Sequence, residues 1–449
     1  MSFTGWYNRT LNQIWGFVED RTAMKKWALR PQPEFTFKPS YWTGAFVAVA
    51  FLYQVVSGML LLLYYQPSTS GTLAACGQPV GTPSVAPAAW CSTYYIIHSV
   101  PMGQLLLSSH LYGAYAMIFL MFIHFFRGYY LGVYKAPREF SWMVGTLLMV
   151  TTLGMGFTGY LLPYTQISYN ATNVGLVLAL RLPMVGPLLG PFILADGTTQ
   201  GLLSRMFDAH VLLLPLALGG LLYAHIALFE SHGIAPPATS DPLQRRRFTE
   251  KEDKKNVPFM PHIFWYTTKW GLLYVGVLFG ISALWPWNLP TYVGNLAAAG
   301  VVTEPDWYFL WLFKLVDFAG VTPVLAIGIT NVLLVYVLVL PFLDRSKRTH
   351  PRDRPLFIWL ATSLAGFFIV MTVWGGETPG VAIQPMTIAA TLGPIFAVNA
   401  VVTALFYWRY RRSYLRRLAA RSASFPGAYS TTASSPPVPV AVSEAKSLE

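Results

Sequence analysis

Charge is what this chain has least of. Only 11% of its 449 residues are Asp, Glu, Lys or Arg, where soluble domains run near a quarter. With 54% hydrophobic and 15% aromatic residues, that shortage excludes a soluble globular protein. Acidic residues are scarcer than basic ones, 19 against 31, for a net charge of +12. A nucleic-acid partner would need that surplus gathered as a basic patch on a soluble fold; there is none, so no nucleic acid is expected. There are only two cysteines, Cys76 and Cys91, inside a stretch from 66 to 102 that carries no charged residue. An oxidising compartment would permit a disulfide there, and spacing alone leaves the bonded and free forms both open. Residues 1–40 lack an apolar core segment, so no cleavable signal peptide is expected. They read as an amphipathic segment on a membrane surface.

What the chain does have is long apolar runs. Eight are long enough, at about 20 residues each, to cross a roughly 30 Å hydrocarbon core: near 41–65, 103–126, 142–162, 209–229, 268–287, 321–342, 355–374 and 386–408. The fold class is therefore an all-α integral membrane protein with eight transmembrane helices. Basic residues collect on the cytoplasmic side, and placing both termini there puts 28 of the 31 inside, leaving Arg181, Arg205 and Lys314 outside. The chain divides into an amphipathic cytoplasmic segment (1–40), a four-helix bundle (41–240), a C-terminal half with four further helices (241–423) and a Ser-, Pro- and Ala-rich tail (424–449) expected to be disordered. The stretch from 166 to 197 is broken by Pro and Gly and reads as short helices lying along the outer surface rather than another crossing.

Histidine placement carries the chemistry. His110 and His124 are 14 residues apart on the second span, a rise of about 21 Å and a return to within about 40° of one face. His210 and His225 on the fourth span are 15 apart, about 22 Å and 60° off one face. Both spans run from outside to inside, so His110 can face His210 near the outer surface and His124 can face His225 near the inner. Neutral imidazole is a good axial ligand for haem, and two such levels would hold two stacked haems within the bundle. Gly44 and Gly58 on the first span, and Gly145 and Gly159 on the third, repeat the 14-residue interval. A porphyrin edge passes a helix closely only where no side chain stands, so these glycines are expected to open two clefts.

The motifs "HFFRG" after His124, "TGYLLPYTQISY" closing the third span, "SRMFDAH" before His210 and "EPDWYFLWLFKL" in the second half resemble cytochrome b of the cytochrome bc complexes, over roughly residues 1 to 375. The resemblance implies two non-covalent b-type haems with His110, His210, His124 and His225 as iron ligands, and Arg127 and Arg205 as partners of haem propionates. It places quinol oxidation at Pro305, Asp306, Trp307 and Tyr308, with Asp306 taking a proton and Tyr308 close by. Asp where many relatives have Glu resembles enzymes that use menaquinol. Quinone reduction falls on the opposite face, where Glu230, His232 and His262 are candidates to deliver protons. The implied partners are a Rieske iron-sulfur protein, a c-type cytochrome subunit, membrane lipid and quinone, in a homodimeric complex of a bacterial plasma membrane.

Departures from the pattern are specific. Leu107 stands where relatives place a propionate-binding Arg, Glu230 where respiratory relatives place a His, and Trp42 where the photosynthetic branch has the cysteine for an extra covalent haem. The His210 to His225 interval resembles the photosynthetic branch, and fusion of both halves in one chain the respiratory branch. Two rivals remain: the di-haem anchor of a quinone-linked dehydrogenase, which would not be expected to carry "PDWY" or the second half, and a proton-coupled transporter, which would need polar groups along its path. In the leading reading quinol at Asp306 gives one electron to the iron-sulfur protein and one across the bilayer through the two haems. Moving a charge across the whole membrane against 100 mV costs about 2.3 kcal/mol, which is why histidines would be needed at two depths.

Overall fold

The structure is a computed structural model and describes residues 13–14, 16–22, 29, 31–70, 76, 86–180, 186–187, 190, 198–239, 256–294 and 303–423. A backbone surrounded by hydrocarbon must satisfy its own N–H and C=O groups, and the apolar runs all form helices. In chain order these are α1 (Thr43–Leu62), α2 (Ala88–Ser99), α3 (Gly103–Tyr130), α4 (Glu139–Leu161), α5 (Gln166–Leu180), α6 (Thr199–Asp208), α7 (Leu214–His232), α8 (Phe264–Leu284), α9 (Trp307–Val316), α10 (Pro323–Leu343), α11 (Pro355–Glu377) and α12 (Pro385–Ala423). Eight helices are long and apolar enough to cross a membrane, α6 and α7 together forming one of them. They coincide with the eight expected runs, although the fourth starts at Thr199 rather than near 209 and the eighth continues well past 408.

Helix α1 packs on α3 and α4 packs on α7, while α8 leans on α1 and α3, α10 on α4, and α11 on α3. The second half thus rests against α3 and α4, the central helices of the first. A short antiparallel pair, β1 (Pro31–Pro33) with β2 (Asn256–Pro258), ties the segment before α1 to the segment before α8. Residues 16–22 are helical, but most of the N-terminal segment read as amphipathic lies outside the described residues, as do the linker at 240–255 and the tail at 424–449.

Two connections between distant parts of the chain stand out. Cys76 and Cys91 are bonded, which pins the uncharged loop to α2, and Trp90 on the same helix donates from Nε1 to the Pro290 carbonyl at 2.7 Å. At the opposite end of α3, Asp344 is buried between Lys135 at 2.7 Å and Arg354 at 3.1 Å, and also accepts from the Tyr134 hydroxyl at 2.6 Å. Burial alone would push this carboxyl up, but Lys135, Tyr134 and Arg354 hold it below its ordinary value. The three charges join the turn after α3 to the α10–α11 connection. Lys314, counted on the outer side by the charge rule, is wholly buried. Its ammonium donates to the Thr378 and Val381 carbonyls at 2.6 and 3.1 Å and pairs with Asp317 at 3.3 Å. It serves the end of α11 rather than a membrane surface.

Candidate functional site

The four histidines meet in two pairs. His110 and His210 have ring centroids 6.4 Å apart at 79°, and His124 and His225 have theirs 6.5 Å apart at 78°. An imidazole-nitrogen-to-metal bond of about 2 Å on each side of a metal, extended to the ring centres, separates two opposed imidazoles by about 6 Å. Among the described residues no group of three or more His, Cys, Asp or Glu could hold a bare ion. Each pair can therefore ligate a metal only if the remaining donors arrive with it, as the four nitrogens of a haem do. The residues fit that group.

Partners of Nδ1 fix the rings. Ser57 Oγ lies 2.8 Å from His110 Nδ1 and spends its own proton on the Tyr53 carbonyl at 2.8 Å, so it accepts from the ring and leaves Nε2 as the free donor atom. His210 Nδ1 lies 3.0 Å from the Met155 carbonyl, which can only accept. His124 Nδ1 lies 3.0 Å from Thr43 Oγ1.

The 15-residue interval proves not to set His210 and His225 off one face. Residues Ala209–Leu213 form a π-helical turn between α6 and α7, which absorbs one extra residue and returns the pair to the phase of a 14-residue interval. Its cause is Pro215, which has no N–H for the carbonyl four residues back and whose ring would clash with it.

The four glycines also have a more specific neighbour than the porphyrin edge expected from sequence. A Cβ built on Gly44 would meet His124 Cε1 at 2.9 Å, on Gly58 His110 at 3.3 Å, on Gly145 His225 at 3.2 Å and on Gly159 His210 at 2.5 Å. Each histidine ring lies against one glycine of the flanking helix, so the glycines make room for the imidazoles themselves. Arg127 stacks its guanidinium 4.5 Å from the Tyr41 ring centre, and its Nε is buried with no hydrogen-bond partner. An anionic group at the His124 level would satisfy it. Arg205 sits in the last turn of α6, five residues before His210. Trp42, buried against Tyr266 with centroids 4.7 Å apart, fills its position with packing, and Leu107 is half-buried.

Asp306 is the N-cap of α9. Its Oδ1 accepts from the Tyr115 hydroxyl at 2.5 Å and its Oδ2 from Tyr308 at 2.8 Å. Pro305 is buried beside it and Trp307 half-buried. Burial lifts the Asp306 carboxyl above its ordinary value, against the lowering effect of the two phenols. A Cβ on Gly156 would meet the Tyr308 hydroxyl at 2.5 Å, three residues along α4 from the glycine that backs His210, or about 4.5 Å of helix rise. The carboxylate motif and the His110–His210 pair therefore meet across one turn of α4. Tyr115 was not legible in the sequence: it lies 191 residues from Asp306. Tyr160 likewise reaches across 144 residues to donate to the Glu304 carbonyl at 2.8 Å.

At the other level the candidates are looser. Glu230 and His262 are exposed. His232 is half-buried, with Nδ1 held 2.8 Å from the Leu228 carbonyl of its own helix.

Fold and site together define a multi-pass membrane protein of the haem-binding electron-transfer class, built around paired histidines at two levels. Residues 115–291 match the family model described as cytochrome b(N-terminal)/b6/petB, and residues 295–399 that of cytochrome b(C-terminal)/b6/petD. The chain is 35% identical to a cytochrome b of Sulfolobus acidocaldarius over 87% of its own length and 70% of the relative's. It is 31% identical to a cytochrome bc complex cytochrome b subunit of Chlorobaculum thiosulfatiphilum, over 82% of its own length and 79% of the relative's. A menaquinol:cytochrome c reductase cytochrome b subunit of Geobacillus thermodenitrificans is 36% identical, over 51% of this chain and 99% of that one. Among solved structures it is similar to a chain of a hyperthermophilic respiratory Complex III, with TM-score 0.67 and 26% identity, covering 87% of this chain and 96% of the other. The chain belongs to the cytochrome b family of the bc-type quinol:cytochrome c oxidoreductases.

Proposed function

We propose that this chain oxidises membrane quinol beside Asp306, passing one electron to a Rieske iron-sulfur protein and the other through two b-type haems to a quinone at the opposite face. The observation that carries the reading is a half-buried carboxylate one helical turn from the first of two histidine pairs whose rings are spaced to hold a metal between them. His110 with His210, and His124 with His225, hold the two groups, with Ser57, Thr43 and the Met155 carbonyl fixing their rings. Arg127 and Arg205 are suited to their carboxylates. When bound, each haem supplies a one-electron redox centre.

Asp306 accepts a proton from a quinol hydroxyl, a role for which a carboxyl held above its ordinary value is suited. Tyr308 steadies the second carboxylate oxygen, and Pro305 and Trp307 shape the loop that carries both. Glu230, His232 and His262 serve proton uptake at the quinone-reducing face, so protons leave on the Asp306 side and enter on the other. Menaquinol is the favoured substrate, supported by Asp306 itself and by the names of the Geobacillus and Bacillus relatives. The complex works in a bacterial plasma membrane, surrounded by lipid, with both termini of this chain cytoplasmic, and is a homodimer with a c-type cytochrome subunit. The basic residues counted inside support that orientation.

Quinol-to-cytochrome c turnover in sealed vesicles, with pH dyes on each side, tests the proposal. Acidification on the Asp306 side and alkalinisation on the other are expected. Turnover that releases and consumes protons on one side only would contradict it.

A further inference from the structure

Asp306 has both carboxylate oxygens taken, and the two phenols that take them are not equivalent. Tyr308 is two residues away in the same short segment, is only 2% exposed and presses against the backbone of α4 at Gly156; it travels with Asp306 and has no room to leave. Tyr115 belongs to α3, which is not part of the loop, and is half-buried. Its bond to Oδ1 is the one that can open by a small displacement of the Asp306 segment. Each carboxylate oxygen keeps a second lone pair, but every donor it already accepts from lowers its basicity, so releasing one of these phenols makes that oxygen the better acceptor for a quinol proton. A tyrosine hydroxyl and a quinol hydroxyl are the same chemical group, an aromatic O–H donor.

We propose that Tyr115 is a positioning residue that occupies Asp306 Oδ1 in place of the quinol hydroxyl and yields that oxygen when quinol arrives. This inference rests on the reading of Asp306 as the proton acceptor. Once Tyr115 has withdrawn, one quinol O–H bond breaks as an Oδ1–H bond forms, the proton of the second hydroxyl leaves to the aqueous phase on the Asp306 side, and the two electrons leave to the two acceptors of the proposed reaction. Tyr115 thereby holds the carboxylate aimed and ionisable while no substrate is present, and competes with substrate for it. The other groups facing this carboxylate are Tyr308 on its own segment, Tyr160 from α4, and Glu304, whose carbonyl Tyr160 binds.

The test is steady-state turnover of the intact complex with a short-chain quinol across pH, comparing the parent with Tyr115→Phe, Tyr115→Leu, Tyr112→Phe and Asp306→Asn, each checked for an unchanged visible spectrum. Removing a competitor that donates to a charged oxygen is expected to lower KM for quinol about tenfold. Losing a donor that favoured the ionised carboxylate moves the acid limb of kcat/KM to higher pH. Tyr115→Leu should show the same two shifts. Tyr112, which donates to the Trp285 carbonyl instead at 2.8 Å, should show neither when changed to Phe. A parent-like or raised KM together with an unmoved acid limb in both Tyr115 variants would overturn the inference alone, provided Asp306→Asn is inactive. Parent-like turnover in Asp306→Asn would overturn the quinol-site reading and the inference with it.

Discussion

At the His110–His210 level two imidazoles stand 6.4 Å apart, backed by Gly58 and Gly159, and a half-buried carboxylate gripped by two phenols lies one turn away. At the His124–His225 level the rings stand 6.5 Å apart, backed by Gly44 and Gly145, but the nearby chain offers an exposed Glu230 and a guanidinium with an orphaned Nε. Ring spacing and glycine backing are duplicated, and the surroundings are not. The duplicated part is what holding a metal between two rings demands, and the unequal part is where the two ends can do different chemistry. A carboxylate taken out of water becomes a willing proton acceptor, whereas exposed groups exchange protons with solvent.

The sharpest way to test that asymmetry is to neutralise one acid at each end. Asp306→Asn should cut quinol-dependent kcat by about 1,000-fold, the range of a lost general base, while Glu230→Gln should stay within a few-fold; equal losses would break the contrast. The duplication itself can be broken one level at a time. Gly159→Val, whose added carbons meet His210, should remove one visible haem component, and Gly44→Val, which meets His124, the other. Loss of both components in either variant would mean that the two levels are not independent.

A third change lies outside both levels and sharpens the comparison by leaving both spectra intact. Asp344→Asn leaves Lys135 and Arg354 buried beside a neutral group, which should destabilise the protein by about 3 kcal/mol near neutral pH. Because the Asp344 carboxyl is held below its ordinary value in the fold, its contribution is complete above the unfolded-state value of about 3.9. It is lost as pH falls through the lower folded-state value. The gap between parent and variant in thermal unfolding should therefore close in strong acid. The smallest effect is expected from Ser57→Ala, which removes the acceptor that orients His110 and should weaken retention of one haem about tenfold, leaving the other component unchanged.

How much of this could be read from residues alone depended on the range of the interaction. The spans follow from local hydropathy, and the histidine levels from helix rise on single segments. The glycine intervals were legible, although not that each glycine would back a histidine ring. The 15-residue interval misled, because a π-helical turn depends on which carbonyl loses its donor at Pro215 rather than on hydrophobic periodicity. Of the two side chains that complete Asp306, Tyr308 was expected from the motif but Tyr115 was not legible, since it is 191 residues away and its helix reads as continuous apolar span. The burial of Lys314 was not legible for the same reason, because the carbonyls that hold it lie 64 and 67 residues further on. Charge counting cannot tell a lysine at a membrane surface from one enclosed by the fold.

The central claim is that two histidine pairs hold two separate redox centres at two depths. A redox-titrated visible spectrum of the purified complex, recorded for the parent beside His110→Ala and His124→Ala, tests it most directly. Two b-type components are predicted, one lost in the first variant and the other in the second. A correctly folded parent with no haem absorbance, or both components lost in either variant, would contradict it.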